Sequence, residues 1–324
     1  SSLVSATPLP GPAQEIDPNH TPDPLAEEVE IRRTQFGVPH ILANSLAAGG
    51  YGLAWVMMED CREEVPRRIL MSNGRWGLAT GRDSIQGDFA GRMAHDYAAE
   101  TFHLLSPEVR SVMDGFARGV NDFVRLNDDV LPEWVRPEFD AHDIAARDIR
   151  VWDSGAALRF LRNRMGTGEA GNAEAGNRPD PDDGSNAWAF APSRTASGKA
   201  ILVRNPHLSW DAGYYEAQLT VPGILNFYGD FRLGGPFTII GGFNEHLGWS
   251  TTNNYPDLDE VYALLRDPED PERYLFDGGS VPIEARRVTV QFRDGEEIGS
   301  ETREFRLSPL GPVIFEVQDT IFVL

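Results

Sequence analysis

The sequence has one lysine, Lys199, among 29 Lys and Arg residues, one cysteine, Cys61, and seven histidines scattered over 324 positions. A lysine Schiff base, a phosphate-loop lysine or a Ser-Lys dyad would therefore have Lys199 as its only source. One cysteine excludes an internal disulfide and a cysteine-held structural zinc. Against so few cations stand 50 Asp and Glu, for a net charge of −21 at pH 7. Such a surface repels nucleic-acid backbones and anionic lipid. No run approaches the roughly 18 apolar residues of a spanning helix, and the opening residues show no signal-peptide pattern. HExxH, GxSxG, a P-loop, GxGxxG after a strand and an EF-hand loop are all missing. The histidines at 20, 40, 95, 103, 142, 207 and 246 lack metal-ligand spacing.

What is present is globular: 41% hydrophobic and 24% charged residues, in a length that suits one large domain or two ordinary ones. Residues 1–28, rich in Pro, Ser, Ala and acidic side chains, read as an extended leader. Strands are expected over Val29–Thr34 and His40–Leu42, around a Gly37-Val38-Pro39 turn. From Ser45 to about Asn163 the apolar pattern is helical, with Ser45 and Ser106 as N-caps and a third helix expected from about Asp143 to Arg164. Residues 166–184 are nearly all Gly, Ala, Asn, Pro and acidic residues without a large apolar anchor, and read as a spacer. Beyond Ser185 short β runs alternate with Gly/Pro/Asp turns: Ala200–Val203, Tyr215–Val221, Thr238–Ile240, Val261–Leu265, Val288–Phe292 and Val313–Val317. The halves are expected to share one core, because the strands alone have no helices to cover them. Ile321–Leu324 reads as the middle of a strand, and the chain as a processed form or a piece of a longer reading frame.

The junction Asp182-Asp183-Gly184-Ser185-Asn186-Ala187-Trp188 carries the chemical signal. Taken alone, it is also what a linker followed by a strand-capping serine looks like. Cleavage between Gly184 and Ser185 would free an α-amine with an ordinary pKa of about 7.7–8.0. An appreciable part of it is free base at neutral pH. It can take the proton of the hydroxyl on the same residue, through a water, with no histidine needed.

At these residues the chain resembles the penicillin acylase family of N-terminal-nucleophile hydrolases, from about Val29 to Leu324. The motifs are Val29-Glu30-Ile31-Arg32-Arg33 with Gly37-Val38-Pro39-His40-Ile41, then Tyr51-Gly52-Leu53-Ala54-Trp55 with Glu59-Asp60, and Gly119-Val120-Asn121. Gly184-Ser185-Asn186-Ala187-Trp188 and Asn205-Pro206-His207-Leu208-Ser209-Trp210 follow, then Gly248-Trp249-Ser250-Thr251-Thr252, Tyr274 to Glu284 and Gly311-Pro312-Val313. Leu310 departs from the histidine common before Gly-Pro-Val in the family.

The resemblance implies an α+β fold, the αββα sandwich of two antiparallel sheets flanked by helices, here its N-terminal part. Residues 29–165 would be the helical α-chain region, 166–184 the spacer and 185–324 the start of a β-chain. It implies Ser185 as the nucleophile exposed by self-cleavage, and Asn253 as a backbone oxyanion donor, although Asn253-Asn254 also suits a plain turn. His207 falls where the acyl-homoserine-lactone, aculeacin and cephalosporin acylases carry histidine near the serine's amine; beside Pro206 it also suits a turn. Asp257, Asp259 and Glu260 resemble a structural Ca²⁺ segment, although an acidic turn in so acidic a chain needs no metal. Trp188, Trp210, Trp249 and Phe237 suit the core singly and an acyl pocket together. The implied activity is hydrolysis of the acyl amide of N-acylated small molecules (an acyl-homoserine lactone, a lipopeptide or a β-lactam side chain) without a redox or nucleotide cofactor. An α/β heterodimer cut from one precursor, in the periplasm or secreted, goes with it. The alternative is an inactive binding or scaffold domain that keeps the fold. Residues 1–324 alone are expected to aggregate or stay uncleaved, with the strand run at Leu324 leaving open edges.

Overall fold

The computed structural model describes residues 21–135, 138–149, 155–165, 184–208, 211–252 and 260–324. A 3₁₀ turn at Pro24–Glu28 leads into β1 (Val29–Arg33) and β2 (Pro39–Ala43). The helices are α1 (Leu46–Cys61), α2 (Glu64–Ser72), α3 (Gly77–Thr80), α4 (Ile85–Thr101), α5 (Pro107–Leu126), α6 (Ala141–Ala146) and α7 (Gly155–Met165). Strands follow as β3 (Gly184–Phe190), β4 (Ile201–His207), β5 (Tyr214–Val221), β6 (Leu225–Arg232), β7 (Thr238–Phe243), β8 (Gly248–Ser250), β9 (Tyr262–Arg266) and β10 (Arg273–Phe276). The last are β11 (Gly279–Pro282), β12 (Glu284–Asp294), β13 (Glu297–Ser308), β14 (Gly311–Val317) and β15 (Thr320–Val323).

The α+β class holds. One sheet runs β1-β2-β5-β6-β7-β8, another β11-β10-β9-β15-β14-β13-β12, and β3 and β4 form a separate pair. The first sheet departs from the all-antiparallel expectation, because β2 and β5 pair in parallel, His40 to Gln218 and Leu42 to Thr220. The helical half intervenes between those two strands, and a connection of that length is what a parallel pair requires. Instead of an open edge at the end of the chain, β15 is paired on both sides, to β14 and β9.

The shared core is present. Ser45 caps α1 by accepting from the Ala48 N–H, and its hydroxyl donates to Glu28. α1 is buried almost all round, with Leu53, Val56, Met57 and Met58 inaccessible to solvent. It lies between α5 and the first sheet, where Phe116 and Val120 join Ile41, Ala217, Leu219, Phe227 and Phe231. Gly115 permits the α1–α5 approach, since a Cβ there would run into the Ala47 carbonyl oxygen. A second cluster packs Ile85 and Phe89 of α4 on Val288, Val290 and Phe292 of β12.

Two local expectations are corrected. Of the expected leader, residues 1–20 lie outside the described residues, and Pro24–Glu28 is not extended: it turns in 3₁₀ geometry, with Leu25 buried and the preceding Asp23 paired to Arg118 at 2.5 Å. The third helix is two. α6 starts at a reciprocal capping box between Asp140 and Asp143 and ends at Ala146. There Asp148 pairs with Arg232 at 2.9 Å and Arg147 donates to the Leu233 carbonyl at 3.4 Å. Those tertiary contacts draw the chain toward the end of β6 instead of along the helix.

Asp143 joins three helices. Its carboxylate accepts from Asn73 at 2.9 Å, Arg75 at 3.0 Å and the Asp140 N–H at 3.1 Å, and lies 3.3 Å from His95 Nε2. Burial alone would raise its pKa; the His95 hydrogen bond, the Arg75 charge and the other donors outweigh burial and hold it below the ordinary 3.8. A depressed carboxylate stabilises the fold above its unfolded pKa, and that contribution is lost as pH falls through the lower folded value. Asp143→Asn should therefore cost about 1.5–3 kcal/mol at neutral pH, with the difference from the unaltered protein shrinking once the pH falls below the ordinary aspartate value of about 3.9. Urea unfolding at neutral pH and over a series of acidic pH values checks this; a pH-independent difference would contradict it.

Candidate active site

The β3–β4 pair is a full seven-residue antiparallel ladder, with Gly184 opposite His207, Ser185 opposite Pro206 and Asn186 opposite Asn205. Alternation sorts its side chains. Ser185, Ala187, Ala189, Leu202, Arg204 and Pro206 share one face; Asn186, Trp188, Phe190, Ile201, Val203, Asn205 and His207 share the other. Ser185 and His207 thus stand at the same end of one hairpin on opposite faces.

Gly184 has φ +145°, a conformation that suits glycine and disfavours any residue with a Cβ. Ser185 is half-buried, and its Oγ donates to the Gly184 carbonyl oxygen at 2.5 Å. The hydroxyl therefore lies against the carbonyl of the peptide bond that precedes it. The Ser185 carbonyl accepts from Thr252 Oγ1 at 3.4 Å, which brings the segment after β8 to the junction. His207 Nε2 lies 3.1 Å from the side-chain nitrogens of both Asn186 and Asn205.

The Ser185 face is pinned to the first sheet. Arg204 forms a close ion pair with Asp230 of β6, both side chains being about one-fifth exposed. Gly241 leaves room for that guanidinium, as a Cβ there would lie 3.0 Å from Arg204 Nε. Leu202 packs over Gly248 of β8 at a similar approach, 3.2 Å from where a Cβ would stand. On the His207 face, Trp188, Phe190, Ile201 and Val203 remain 48%, 43%, 45% and 41% exposed, an apolar strip beside the junction.

Of the other expected site residues, Asn253, Asp257 and Asp259 lie outside the described residues, as does Trp210. Glu260 is described and exposed. Trp249 stacks on Phe227 at 5.2 Å, and it and Phe237 pack against the main core. Lys199 is exposed in the loop before β4. Among the described residues the metal-compatible grouping is His95, Asp140 and Asp143. Both Asp143 oxygens already accept hydrogen bonds, and Asp140 Oδ1 caps α6, so the grouping fits a helix clasp better than a cation. A cavity of about 470 Å³ lies in the helical half, lined by Val29, Ile31, Tyr51, Trp55 and Asp122 among others, with no residue of the hairpin in its wall. Asn186, Asn205, Arg204 and Thr252 received no role from the sequence. Asn186, Asn205 and Thr252 sit inside the family-like motifs; counting alternate residues from His207 places Asn205 on its face, whereas Asn186 joins it only through the β3–β4 register.

Removing one partner of a largely buried pair leaves the other charge uncompensated. Arg204→Met should therefore lower the local stability of β3 and β4 by about 3 kcal/mol, leaving α1 and α5 protected. Amide hydrogen exchange reads this directly; unchanged protection in 184–190 and 201–207 would show that the pair does not anchor the hairpin.

The penicillin amidase family profile matches residues 28–323. The acyl-homoserine lactone acylase PvdQ of Pseudomonas fluorescens is 32% identical over 325 residues, taking in 90% of this chain and 41% of that protein. The aculeacin-A acylase of Actinoplanes utahensis is 30% identical over 321 residues, with 87% and 40% covered. Among solved structures, the thermostable penicillin G acylase from Alcaligenes faecalis aligns at 20% identity over 42% of this chain and 25% of its own, with a TM-score of 0.34. The chain spans about two fifths of the length of the curated relatives it matches. With the profile running across the hairpin, both large sheets and the helical half, the chain belongs to the penicillin amidase family.

Proposed function

We propose that this chain carries the nucleophile of an amide-bond hydrolase, and that Ser185 is that nucleophile once the chain is cut before it. The observation that carries the reading is the contact of Ser185 Oγ with the Gly184 carbonyl oxygen, at a glycine held at φ +145°. In self-cleavage Oγ adds to the Gly184 carbonyl carbon, and collapse breaks the bond to the Ser185 nitrogen, which takes up the proton that Oγ loses. This leaves Gly184 as an ester on Oγ and Ser185 with a free amine. Water then hydrolyses the ester, giving a Gly184 carboxylate and an N-terminal serine with its hydroxyl restored.

In turnover the freed amine accepts the Oγ proton as Oγ attacks the substrate's acyl carbonyl, then returns it to the departing amine. An ester acyl-enzyme remains, and water, deprotonated by the same amine, releases the carboxylic acid. The tetrahedral oxyanion requires donors; the Asn253 amide is the proposed one, with a second supplied elsewhere. His207 stands near the amine, at the end of β4 that faces the junction. Relatives named for acyl-homoserine lactone and aculeacin-A acylase activity support an N-acylated small molecule as substrate. The apolar strip of Trp188, Phe190, Ile201 and Val203 suits a hydrocarbon acyl group. Two chains cut from one precursor, a periplasmic or secreted location, and a structural Ca²⁺ at Asp257, Asp259 and Glu260 belong to the same proposal. No helix of the described residues is long and apolar enough to cross a membrane.

Expressed in full length, the protein should yield a fragment whose N-terminal sequence reads Ser-Asn-Ala-Trp-Ala-Phe. Ser185→Ala should stay a single chain and lose turnover by at least about 10⁴-fold, since the hydroxyl both breaks the peptide and attacks substrate. His207→Ala should fold, be cleaved and turn over more slowly by about 10²-fold. An active Ser185→Ala protein would end this reading, whereas an unaltered full-length protein that stays uncut at Gly184–Ser185 and turns nothing over would favour the inactive binding domain.

A further inference from the structure

We infer that Asn186 and Asn205 are positioning residues that fix the tautomer of His207, placing its proton on Nδ1 and leaving Nε2, beside Asn186, without one. The inference rests on the acylase reading for its importance, but not for its geometry. Asn186 and Asn205 are a cross-strand pair, directly opposite in the β3–β4 ladder, and His207 is the next residue on that face. Both side-chain nitrogens lie 3.1 Å from the same ring nitrogen, Nε2. A carboxamide nitrogen has two hydrogens and no lone pair to offer, so it can only donate. An N–H at Nε2 would point at two donors, whereas a lone pair there is met from both sides. In the neutral ring the remaining proton is then on Nδ1.

This gives the two asparagines a task that the neighbouring residues cannot share. On the same face Trp188 and Val203 form the next pair along the ladder and are apolar. Ser185 is on the opposite face and donates to its own preceding carbonyl. The amine freed at Ser185 is adjacent along β3 to Asn186. The ring nitrogen beside Asn186 is thus already without a proton in the uncut chain. With its one lone pair met by the two carboxamides, Nε2 has no proton to donate into the amine's lone pair, which is left free to work on Oγ.

The test reads the ring nitrogens directly. In the full-length Ser185→Ala protein, which holds the uncut state, ¹⁵N-labelled histidine and long-range ¹H–¹⁵N correlation should show neutral His207 as the Nδ1–H tautomer. Asn186→Asp combined with Asn205→Asp replaces both donors by acceptors of the same shape and should move the proton to Nε2. Unchanged signals from the other histidines would show that the fold is kept. Returned to the Ser185 background, the double variant should lose about 10–100-fold in kcat, with KM little altered. An Nε2–H tautomer in the parent, a tautomer indifferent to the double substitution, or a moved proton with unchanged kcat would each overturn the inference. An active Ser185→Ala protein would instead sink the acylase reading, while the ¹⁵N spectrum still decided the tautomer.

Discussion

The register between β3 and β4 is the constraint on which the site depends. A strand slipped by one residue turns every side chain to the other face. Such a slip would point Ser185 at the apolar strip and bury Trp188 against the first sheet. The register is set by side chains of unlike character on the two faces. Small residues with one arginine lie toward β6 and β8, and asparagines, histidine and large apolar residues lie away from them. The hairpin is short and largely exposed, so its own apolar burial is a weak source of order. Its place comes from the Arg204–Asp230 pair, the space left by Gly241 and Gly248, and the Thr252 hydroxyl on the Ser185 carbonyl.

Those anchors are only as firm as β6, and β6 is held by the helical half. Phe227 and Phe231 project from it into the cluster formed by α1 and α5, while Asp230 between them faces the hairpin. At its end Arg232 pairs with Asp148, just past α6. Burial pushes the Asp148 carboxyl up, with Arg232 and Arg147 opposing. The mechanical route from the core to the proposed nucleophile therefore runs from α1 and α5 through the two faces of one strand to Arg204 and on to Ser185. A segment at the boundary between two halves gains a fixed position in this way, although neither half alone surrounds it.

Much of this was legible in the residue pattern. Serine before a helical run, proline after the second such serine, and alternating Tyr215–Val221 state their structures through capping and periodicity. The long strand β13 does not, because Glu301, Arg303 and Glu304 break its apolar alternation. Arg303 is at home there by covering the Phe89 ring at 4.3 Å and donating to Gln86, partners more than two hundred residues away. The end of α6 was hidden for the same reason: Arg147 and Asp148 are ordinary helical residues until Leu233 and Arg232 claim them. At the site, Ser185 and His207 followed from motif resemblance and do share one end of a hairpin. Their placement on opposite faces, and the two asparagines around Nε2, required the register, which spacing along the chain does not encode.

The central claim is that Ser185, as an N-terminal residue, takes the acyl group. The direct measurement is acid quench of the full-length protein during turnover of an activated N-acyl substrate, followed by peptide mapping by mass spectrometry. The account predicts an acyl mass on the peptide that begins Ser185-Asn186-Ala187-Trp188, with Oγ as the ester site and the α-amine free. Acyl mass on any other residue, or turnover by a chain still intact across Gly184–Ser185, would contradict it.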